Sequence, residues 1–421
     1  MKFKVYLFLI LVSLYSNCKR PQLQAQCDPL SDSFKDFYLA RFLLEDDQIF
    51  CGSQVPIRPV CELSPFEIIQ PKKWKYVKEE LNRLESLGSG TPSINLIPQG
   101  ISGTAKWLGG ILAPNGLIYN IPFTQTSVLV FDPKTNLTKT LPTGVSGSNL
   151  WEGGVLAPNG KIYAIPRDAN SILVINPSAD FNTEDKTYTI PSPVAGTNKW
   201  RGGVLAPNGK IYAMPVSIDQ ILVIDSFTDY VYTIPTGISG TNQWEGGVVS
   251  PNGKIYGIPV DSDYILLIDP YFDLVSTLPS PKTGLSKWRQ AVLAPNGNIY
   301  GIPHTENDFL IINTNNNLVT TFPSPIVAAS KWRGGSLGAD GNIYTHPADN
   351  QFILRFNPNT FVTSQIDTGV SSFNKWGDAV LAPNGNIYTV PHSEDQILSI
   401  NPNSPGKICD SILLSSYFNR Y

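Results

Sequence analysis

The sequence predicts an all-β fold, a ring of seven four-stranded sheets called a seven-bladed β-propeller, on two observations. Seven tryptophans recur at intervals of 44 residues in five cases and 49 in one. They are Trp107, Trp151, Trp200, Trp244, Trp288, Trp332 and Trp376. Short apolar runs rich in β-branched and aromatic residues follow each tryptophan, and Pro stands at the run ends. Short strands repeated with a period in the forties are typical of propeller blades.

The repeat from Gly153 to Pro191 shows the predicted strands in order. Asn159-Gly160 separates the first two runs, and this pair strongly predicts a hairpin because both residues tolerate a positive φ. The third and fourth runs follow after a polar loop. The four predicted strands cover 153–158, 161–166, 172–177 and 187–191.

The two ends of the array are expected to share one sheet. The run 94–98 ends nine residues before Trp107, the offset at which an outer-strand Pro precedes the later tryptophans. The last repeat supplies only three strands, which end within 397–402. Pairing 94–98 with that last strand closes the ring and removes the exposed edges of an open array.

Each repeated tryptophan stands where the chain enters the innermost strand of a blade. We therefore expect the seven indoles to pack between neighbouring blades. The alternative is a ring of aromatic side chains that grips a carbohydrate at the channel mouth.

The composition gives no indication of a nucleic-acid partner. The 421 residues are only 15% charged, and the formal net charge is −3. Proteins that bind nucleic acids carry a basic patch, and none is evident here. The 34 Gly and 35 Pro are consistent with many turns.

The N-terminus predicts export. Residues 1–17 combine two lysines with an apolar run at 5–15, too short to span a bilayer and typical of a signal peptide. The segment ending at Cys18 resembles the lipobox of bacterial lipoproteins, which implies a lipid on Cys18 and anchoring in the cell envelope. Cleavage near Ala25, without an anchor, is the alternative.

The cysteines agree with an oxidising compartment. Besides Cys18, the chain has Cys27, Cys51, Cys61 and Cys409, an even number that allows three sets of pairs. We favour Cys51–Cys61 as a local loop and Cys27–Cys409 as a tie between the two ends.

The regions flanking the repeats, 18–93 and 403–421, are expected to lie outside the propeller, which spans 94–402. Segments 31–47 and 71–88 have helical spacing, and the second begins with Pro and ends with Gly, as helices do. Residues 18–93 therefore predict a small helical cap or spacer. The tail either adds a strand at 407–414 or lies across the ring.

Comparison of the seven repeats predicts one candidate site. The position two after Trp is Gly in five repeats but Gln290 and Asp378 in the fifth and seventh. His304 and His392 share a position after the second strand, and His346 precedes it by two places in the sixth repeat. These five residues are expected to bind a ligand at the channel mouth.

Imidazoles and a carboxylate could bind a divalent metal or act as general acid and base, which makes His304, His392 and Asp378 the candidate catalytic residues. Ordinary surface histidines and solvated loop acids are the alternative. Other polar residues are predicted on the same face: Glu152, Asp168, Arg201, Asp219, Glu245, Asp261, Asp263, Arg289, Asp308, Arg333, Asp349 and Asp395.

The repeat L-A-P-N-G-K-I-Y-A-I-P followed by I-L-V-I-D-P resembles blades of propellers that include streptogramin lyase, gluconolactonase-like and NHL-repeat proteins. The resemblance covers roughly 94–402 and implies the fold. It also implies a metal-dependent lyase or lactonase as one possible activity, because streptogramin lyase uses a channel-mouth histidine with a metal. No catalytic pattern of that family matches here residue by residue, so the resemblance assigns no catalytic residue.

Three functional hypotheses follow, and the fold alone does not choose between them. The favoured one is a monomeric, lipid-anchored binding module without a cofactor, whose partner is a protein, peptide or glycan. The second is the metal-dependent enzyme, and the third is a subunit of an envelope assembly. The sequence lacks H-E-x-x-H, C-x-x-C and P-loop motifs. It does not decide which side of the membrane the protein occupies.

Overall fold

A computed structural model describes residues 59–181, 183 and 186–418. It contains seven four-stranded antiparallel sheets, as the sequence predicts. We number the blades 1–7 from Trp107 onward. The predicted signal peptide, the helix expected at 31–47, Cys18, Cys27 and Cys51 lie outside the described residues. Within the described part, no helix is long and apolar enough to cross a membrane.

Every blade has the same order of strands from the channel outward. The innermost strands, each starting at a repeat tryptophan, are Trp107–Leu112, Trp151–Leu156, Trp200–Leu205, Trp244–Val249, Trp288–Leu293, Trp332–Leu337 and Trp376–Leu381. The second strands, each ending at Pro, are Ile118–Pro122, Ile162–Pro166, Lys210–Pro215, Ile255–Pro259, Asn298–Pro303, Ile343–Pro347 and Ile387–Pro391.

The third and fourth strands complete the blades. The third strands are Ser127–Asp132, Ser171–Ile175, Gln220–Asp225, Tyr264–Asp269, Asp308–Asn313, Phe352–Phe356 and Gln396–Asn401. The outer strands of blades 1–6 are Leu137–Pro142, Thr187–Pro191, Tyr230–Pro235, Leu274–Pro279, Leu318–Pro323 and Thr363–Asp367. Strand Ser93–Pro98 is the outer strand of blade 7 and pairs antiparallel with Gln396–Asn401, from Ser93 opposite Asn401 to Pro98 opposite Gln396. The predicted closure of the ring is confirmed.

The seven repeat tryptophans are fully buried, so they do not form the alternative ring of aromatic side chains that grips a carbohydrate at the channel mouth. Each indole Nε1–H donates to the carbonyl oxygen of the residue that opens the third strand of the same blade, as from Trp244 to Tyr264 at 2.7 Å. Phe309 of blade 5 stacks on Trp332 of blade 6, with ring centroids 6.1 Å apart. Each tryptophan therefore fixes the inner and third strands of its blade, and at Trp332 it also packs against a neighbouring blade.

The two faces of the ring differ. We call the face that carries the turns between first and second strands the lower face, and the opposite one the upper face. Helix α1 (Pro65–Ile68), a 3₁₀ turn at Pro71–Lys73 and helix α2 (Trp74–Ser86) precede the ring. The Gln70 amide donates to the Pro207 carbonyl at 3.0 Å, and Glu85 accepts from Asn357 and Asn359, so this segment lies against the lower face. The helix predicted at 71–88 is confirmed.

The C-terminal tail joins the same layer. It forms helix α3 (Asp410–Leu413), so of the two alternatives the strand at 407–414 is wrong. The Tyr417 hydroxyl donates to the Ile69 carbonyl at 3.1 Å, and the Tyr417 ring packs edge-on against Trp74. Tyr417 and Phe418 also line the lower end of the central channel.

A disulfide joins Cys61 to Cys409, with Cα atoms 5.3 Å apart. The predicted pairs Cys51–Cys61 and Cys27–Cys409 are therefore wrong. The tail helix packs on α1 and on the 3₁₀ turn Val60–Glu62, and this contact brings Cys409 to Cys61 across a separation of 348 residues. Local spacing along the chain could not show that contact.

Candidate functional site

The inner strands of all seven blades share a backbone irregularity where they line the central channel. The strand register shifts just after the tryptophan in every blade, as between Arg201 and Gly203 in blade 3. The residue two after Trp has a positive φ in blades 1–5, a conformation that glycine adopts without cost. A Cβ atom on Gly109 would lie 2.6 Å from the Gly153 Cα, so glycine is also required there for space. Gln290 adopts the same conformation with φ 52°.

Gln290 and Asp378 line one wall of the channel, as the sequence predicts. With Ser336 they border a cavity of about 20 Å³, comparable to one water molecule. The Gln290 amide lies against Gly334, where a Cβ atom would not fit. Both positions are almost completely buried, 7% exposed for Gln290 and 2% for Asp378.

His346 joins Asp378 in a buried chain of polar contacts between blades 6 and 7. Its Nε2 lies 2.9 Å from the Ser336 hydroxyl, and its Nδ1 lies 3.5 Å from Asp378 Oδ1. The hydroxyl donates in turn to the Ala379 carbonyl. Burial lowers the pKa of His346 to about 3 and raises the pKa of Asp378 well above its ordinary value. Burial therefore favours the neutral form of both groups.

His304 and His392 lie instead at the upper mouth of the channel. The ring Nδ1 of His304 is 2.9 Å from the Trp332 carbonyl, and that of His392 is 3.2 Å from the Asn374 carbonyl. A carbonyl only accepts, so the Nδ1 of His304 carries the proton. The Nδ1 of His392 also lies 3.1 Å from the Ser393 hydroxyl, which can donate or accept. Burial, followed by repulsion from Arg289 and Arg333 respectively, lowers the pKa of both imidazoles to about 3.

The five predicted residues thus divide between two places. Gln290, His346 and Asp378 belong to the channel wall and the seam behind it, and His304 and His392 belong to the mouth. The channel cavity is lined by Gln290 and Asp378 but not by the three histidines, and binding of one ligand by all five residues stays a prediction. The side chains that accompany the two mouth histidines are mainly arginines.

Six charged side chains form what we call the mouth cluster. They are Glu152, Arg167, Arg201, Glu245, Arg289 and Arg333, of which all but Arg167 directly follow a repeat tryptophan. Glu152 pairs with Arg167 at 3.2 Å and with Arg201 at 3.3 Å. Glu245 pairs with Arg201 at 3.3 Å and with Arg289 at 3.7 Å. Although burial alone would raise it, Arg289 and Arg201 lower the pKa of Glu245 to about 2.

The charges in this cluster do not cancel. Two carboxylates face four guanidinium groups, which leaves an excess of two positive charges when both histidines are neutral. Arg333 donates to the Asn374 side-chain oxygen at 3.0 Å, a neutral acceptor. Burial, and then the neighbouring Arg289, lowers the pKa of Arg333 to about 10.

This environment does not fit a divalent metal. Among the described residues, no group of three His, Cys, Asp or Glu side chains lies close enough to hold a metal ion. The two mouth histidines sit beside arginines, whose positive charge repels a cation. The metal-dependent hypothesis therefore finds no donor set in the described part of the chain.

Two further sets of residues at the mouth and channel were not predicted from the sequence. Lysines precede the tryptophan in five blades, are almost fully buried, and donate to carbonyl oxygens of upper-face loops: Lys106, Lys199, Lys287, Lys331 and Lys375. Their repeated Lys-Trp pair was visible in the sequence. Ser336 was also visible, because Val or Ile stands at its position in the other six repeats.

Comparisons with known proteins agree with the fold. No family model matches the chain, and no curated protein matches it. A solved structure of streptogramin B lyase has a TM-score of 0.63 at 12% identity, over 74% of this chain and 98% of that one. An inactive variant of virginiamycin B lyase from Staphylococcus aureus, solved with quinupristin, has a TM-score of 0.64 at 12% identity, over 74% and 99%.

A third structure is the extracellular domain of a hybrid two-component system protein from B. thetaiotaomicron. Its TM-score is 0.58 at 12% identity, and the match covers 75% of this chain and 43% of that one. Likenesses at this level of identity show the fold alone. The chain is therefore a seven-bladed β-propeller similar in architecture to these proteins.

Proposed function

We propose that this chain is an exported, lipid-anchored, monomeric binding module of the bacterial envelope whose ligand contacts the upper mouth of the propeller. The observation that carries the proposal is the difference between the two faces. Helices α1 and α2 and the tail lie on the lower face, and Tyr417 and Phe418 reach into the lower end of the channel. The upper mouth holds the mouth cluster together with His304 and His392.

The distribution of unusual side chains also favours binding. Glycine, apolar residues and a few polar side chains line the channel, whereas the mouth cluster gathers buried charges that cost free energy to desolvate. Blades 1 and 7 have Leu108 and Gly377 at the same position, so a blade of this ring does not require a charged residue there. A ligand that contacts the mouth would provide a reason to retain the mouth cluster.

Thermal-shift screening of glycans, peptides and small metabolites tests the location of the site. We expect a stabilising ligand to raise the melting temperature of the wild type and of a lower-face variant, Lys254→Gln. The same ligand should not raise that of Arg201→Gln at the mouth. Ligands that stabilise all three proteins equally would refute the upper mouth as the binding site.

The lipid anchor is tested separately. Cells grown with an alkyne-bearing fatty acid should yield a labelled protein in the membrane fraction, and Cys18→Ala should lose the label. An unlabelled protein whose mature N-terminus lies beyond Ala25 would show the unanchored form instead.

A further inference from the structure

We propose, resting on the binding function above, that the upper mouth recognises an oxyanion of its ligand, a carboxylate or a phosphate, through Arg289 and Arg333. The two residues occupy the same repeat position in adjacent blades 5 and 6. Within the mouth cluster, the positive charges of these two arginines are the ones that the two carboxylates compensate least.

The pairing within the cluster is uneven. Glu152 is shared by Arg167 and Arg201, and Glu245 is shared by Arg201 and Arg289. Arg201 therefore has two carboxylates at 3.3 Å, and Arg289 has one at 3.7 Å. The Arg333 guanidinium has Asn374 as its hydrogen-bond acceptor. Positive charge consequently accumulates toward blades 5 and 6.

The donors of both arginines are incompletely used. The Nε atoms of Arg289 and Arg333 are buried, and neither has a hydrogen-bond acceptor in the described part of the chain. The Glu245 carboxylate lies 3.7 Å from the Arg289 Nε, which is too far for a hydrogen bond. A buried N–H without an acceptor is costly, and a guanidinium presents its donors in a planar fork that matches the oxygens of carboxylates and phosphates. An oxyanion would supply both the missing acceptors and the missing charge.

The histidines give the site a spectroscopic signature. Arg289 and Arg333 both lower the pKa of His304 and of His392. Neutralising either arginine with an anion removes part of this repulsion. The imidazole pKa values should therefore rise when the anion binds, whereas a neutral ligand would leave the repulsion in place.

The test is a titration of the full chain with sodium phosphate, with sodium acetate and with an uncharged sugar, at constant ionic strength. Isothermal calorimetry gives affinities, and NMR follows the Arg Nε–H and His resonances. We expect saturable binding of at least one anion and an upward shift of the His304 pKa. Arg333→Gln should weaken binding about tenfold or more, the loss typical of a hydrogen bond to a charged group.

Matched variants separate charge from fold. Arg83→Gln removes an arginine from helix α2, where it pairs with Glu80, and should leave affinity within about twofold. Arg333→Lys keeps the charge but loses the fork, and should give an intermediate affinity even if Arg333→Gln folds poorly. The anion that binds more tightly identifies carboxylate or phosphate as the recognised group.

Equal anion affinity in the wild type and both Arg333 variants would overturn the inference. Mouth resonances that respond only to the uncharged sugar would also overturn it, but would leave upper-mouth binding intact. If the thermal-shift screen finds only ligands indifferent to Arg201→Gln, the proposed function fails as well.

Discussion

Because of His304, we expect the free energy of unfolding of the ring to decrease in mild acid. In the folded protein its pKa is about 3, because burial and Arg289 disfavour the imidazolium. In the unfolded chain the imidazole returns to its ordinary pKa of about 6.5. Between these values the unfolded chain binds a proton that the folded chain does not. The free energy of unfolding must therefore fall as the pH decreases from about 6.5 toward 3.

The magnitude follows from the two pKa values. At pH 5 the pH lies about 1.5 units below the pKa of the unfolded imidazole, whereas the folded imidazole remains neutral. This residue alone therefore lowers the free energy of unfolding by about 2 kcal/mol relative to pH 7. His392 has the same folded pKa of about 3 and removes a similar amount. Asp378 acts in the opposite direction, since its raised pKa favours the folded state as the pH decreases.

The variant His304→Asn isolates this contribution. The Asn amide N–H₂ can replace Nδ1–H as donor to the Trp332 carbonyl, but it does not titrate. Urea unfolding at pH 7 and pH 5 gives the free energy of unfolding for both proteins. We expect the wild type to lose about 2 kcal/mol more than the variant over this interval. An equal loss in both proteins would refute the assignment of a depressed pKa to His304.

Three further predictions concern stability. Trp244→Ala should destabilise the ring by about 3–5 kcal/mol in urea unfolding, because it leaves a cavity and removes the donor to the Tyr264 carbonyl; a change below about 1 kcal/mol would contradict the packing role. Cys61→Ser should lower the free energy of unfolding by about 2–5 kcal/mol and abolish a disulfide-linked peptide pair that contains Cys409 in the wild-type digest; a wild-type digest without that pair would contradict the bridge. Gln290→Gly should relieve a strained backbone with φ 52° and stabilise the protein by up to about 1 kcal/mol, as a calorimetric melt can show; a lower melting temperature would mean that the lost side-chain contacts outweigh the strain.

Periodicity is the reason that the sequence predicted the ring so completely. Each blade repeats its strand pattern, so the position of Trp107 relative to residues 94–98 already determined how the ring closes. The layer that covers the lower face was harder to predict from the sequence. Helix α2 has its own amphipathic pattern and was predicted, but the tail helix α3 is only four residues long and its packing against α1 is a tertiary contact.

The sequence predicted which residues belong to the candidate site, but it did not predict which of them lie together. Comparing repeats identified Gln290, Asp378 and the histidines as departures from the pattern, and each lies in the channel wall, its seam or the mouth. Side-chain direction decided the grouping, because His346 turns into the seam toward Ser336 whereas His304 lies beside Arg289. The sign of the charge at the mouth depends on which acids lie near which arginines, and that information is not in the repeat spacing.

The bond between Cys61 and Cys409 has a consequence for how the molecule responds to cutting. The bond joins a residue before the first strand of the ring to a residue after the last one, and Ser93–Pro98 pairs with Gln396–Asn401 between these two points of the chain. A single proteolytic nick in any loop between those cysteines therefore leaves both fragments tethered covalently. Under non-reducing conditions the nicked protein would keep its intact mass plus one water, and reduction with denaturation would be needed to release the pieces. Damage at one exposed loop thus does not by itself cost the protein its architecture.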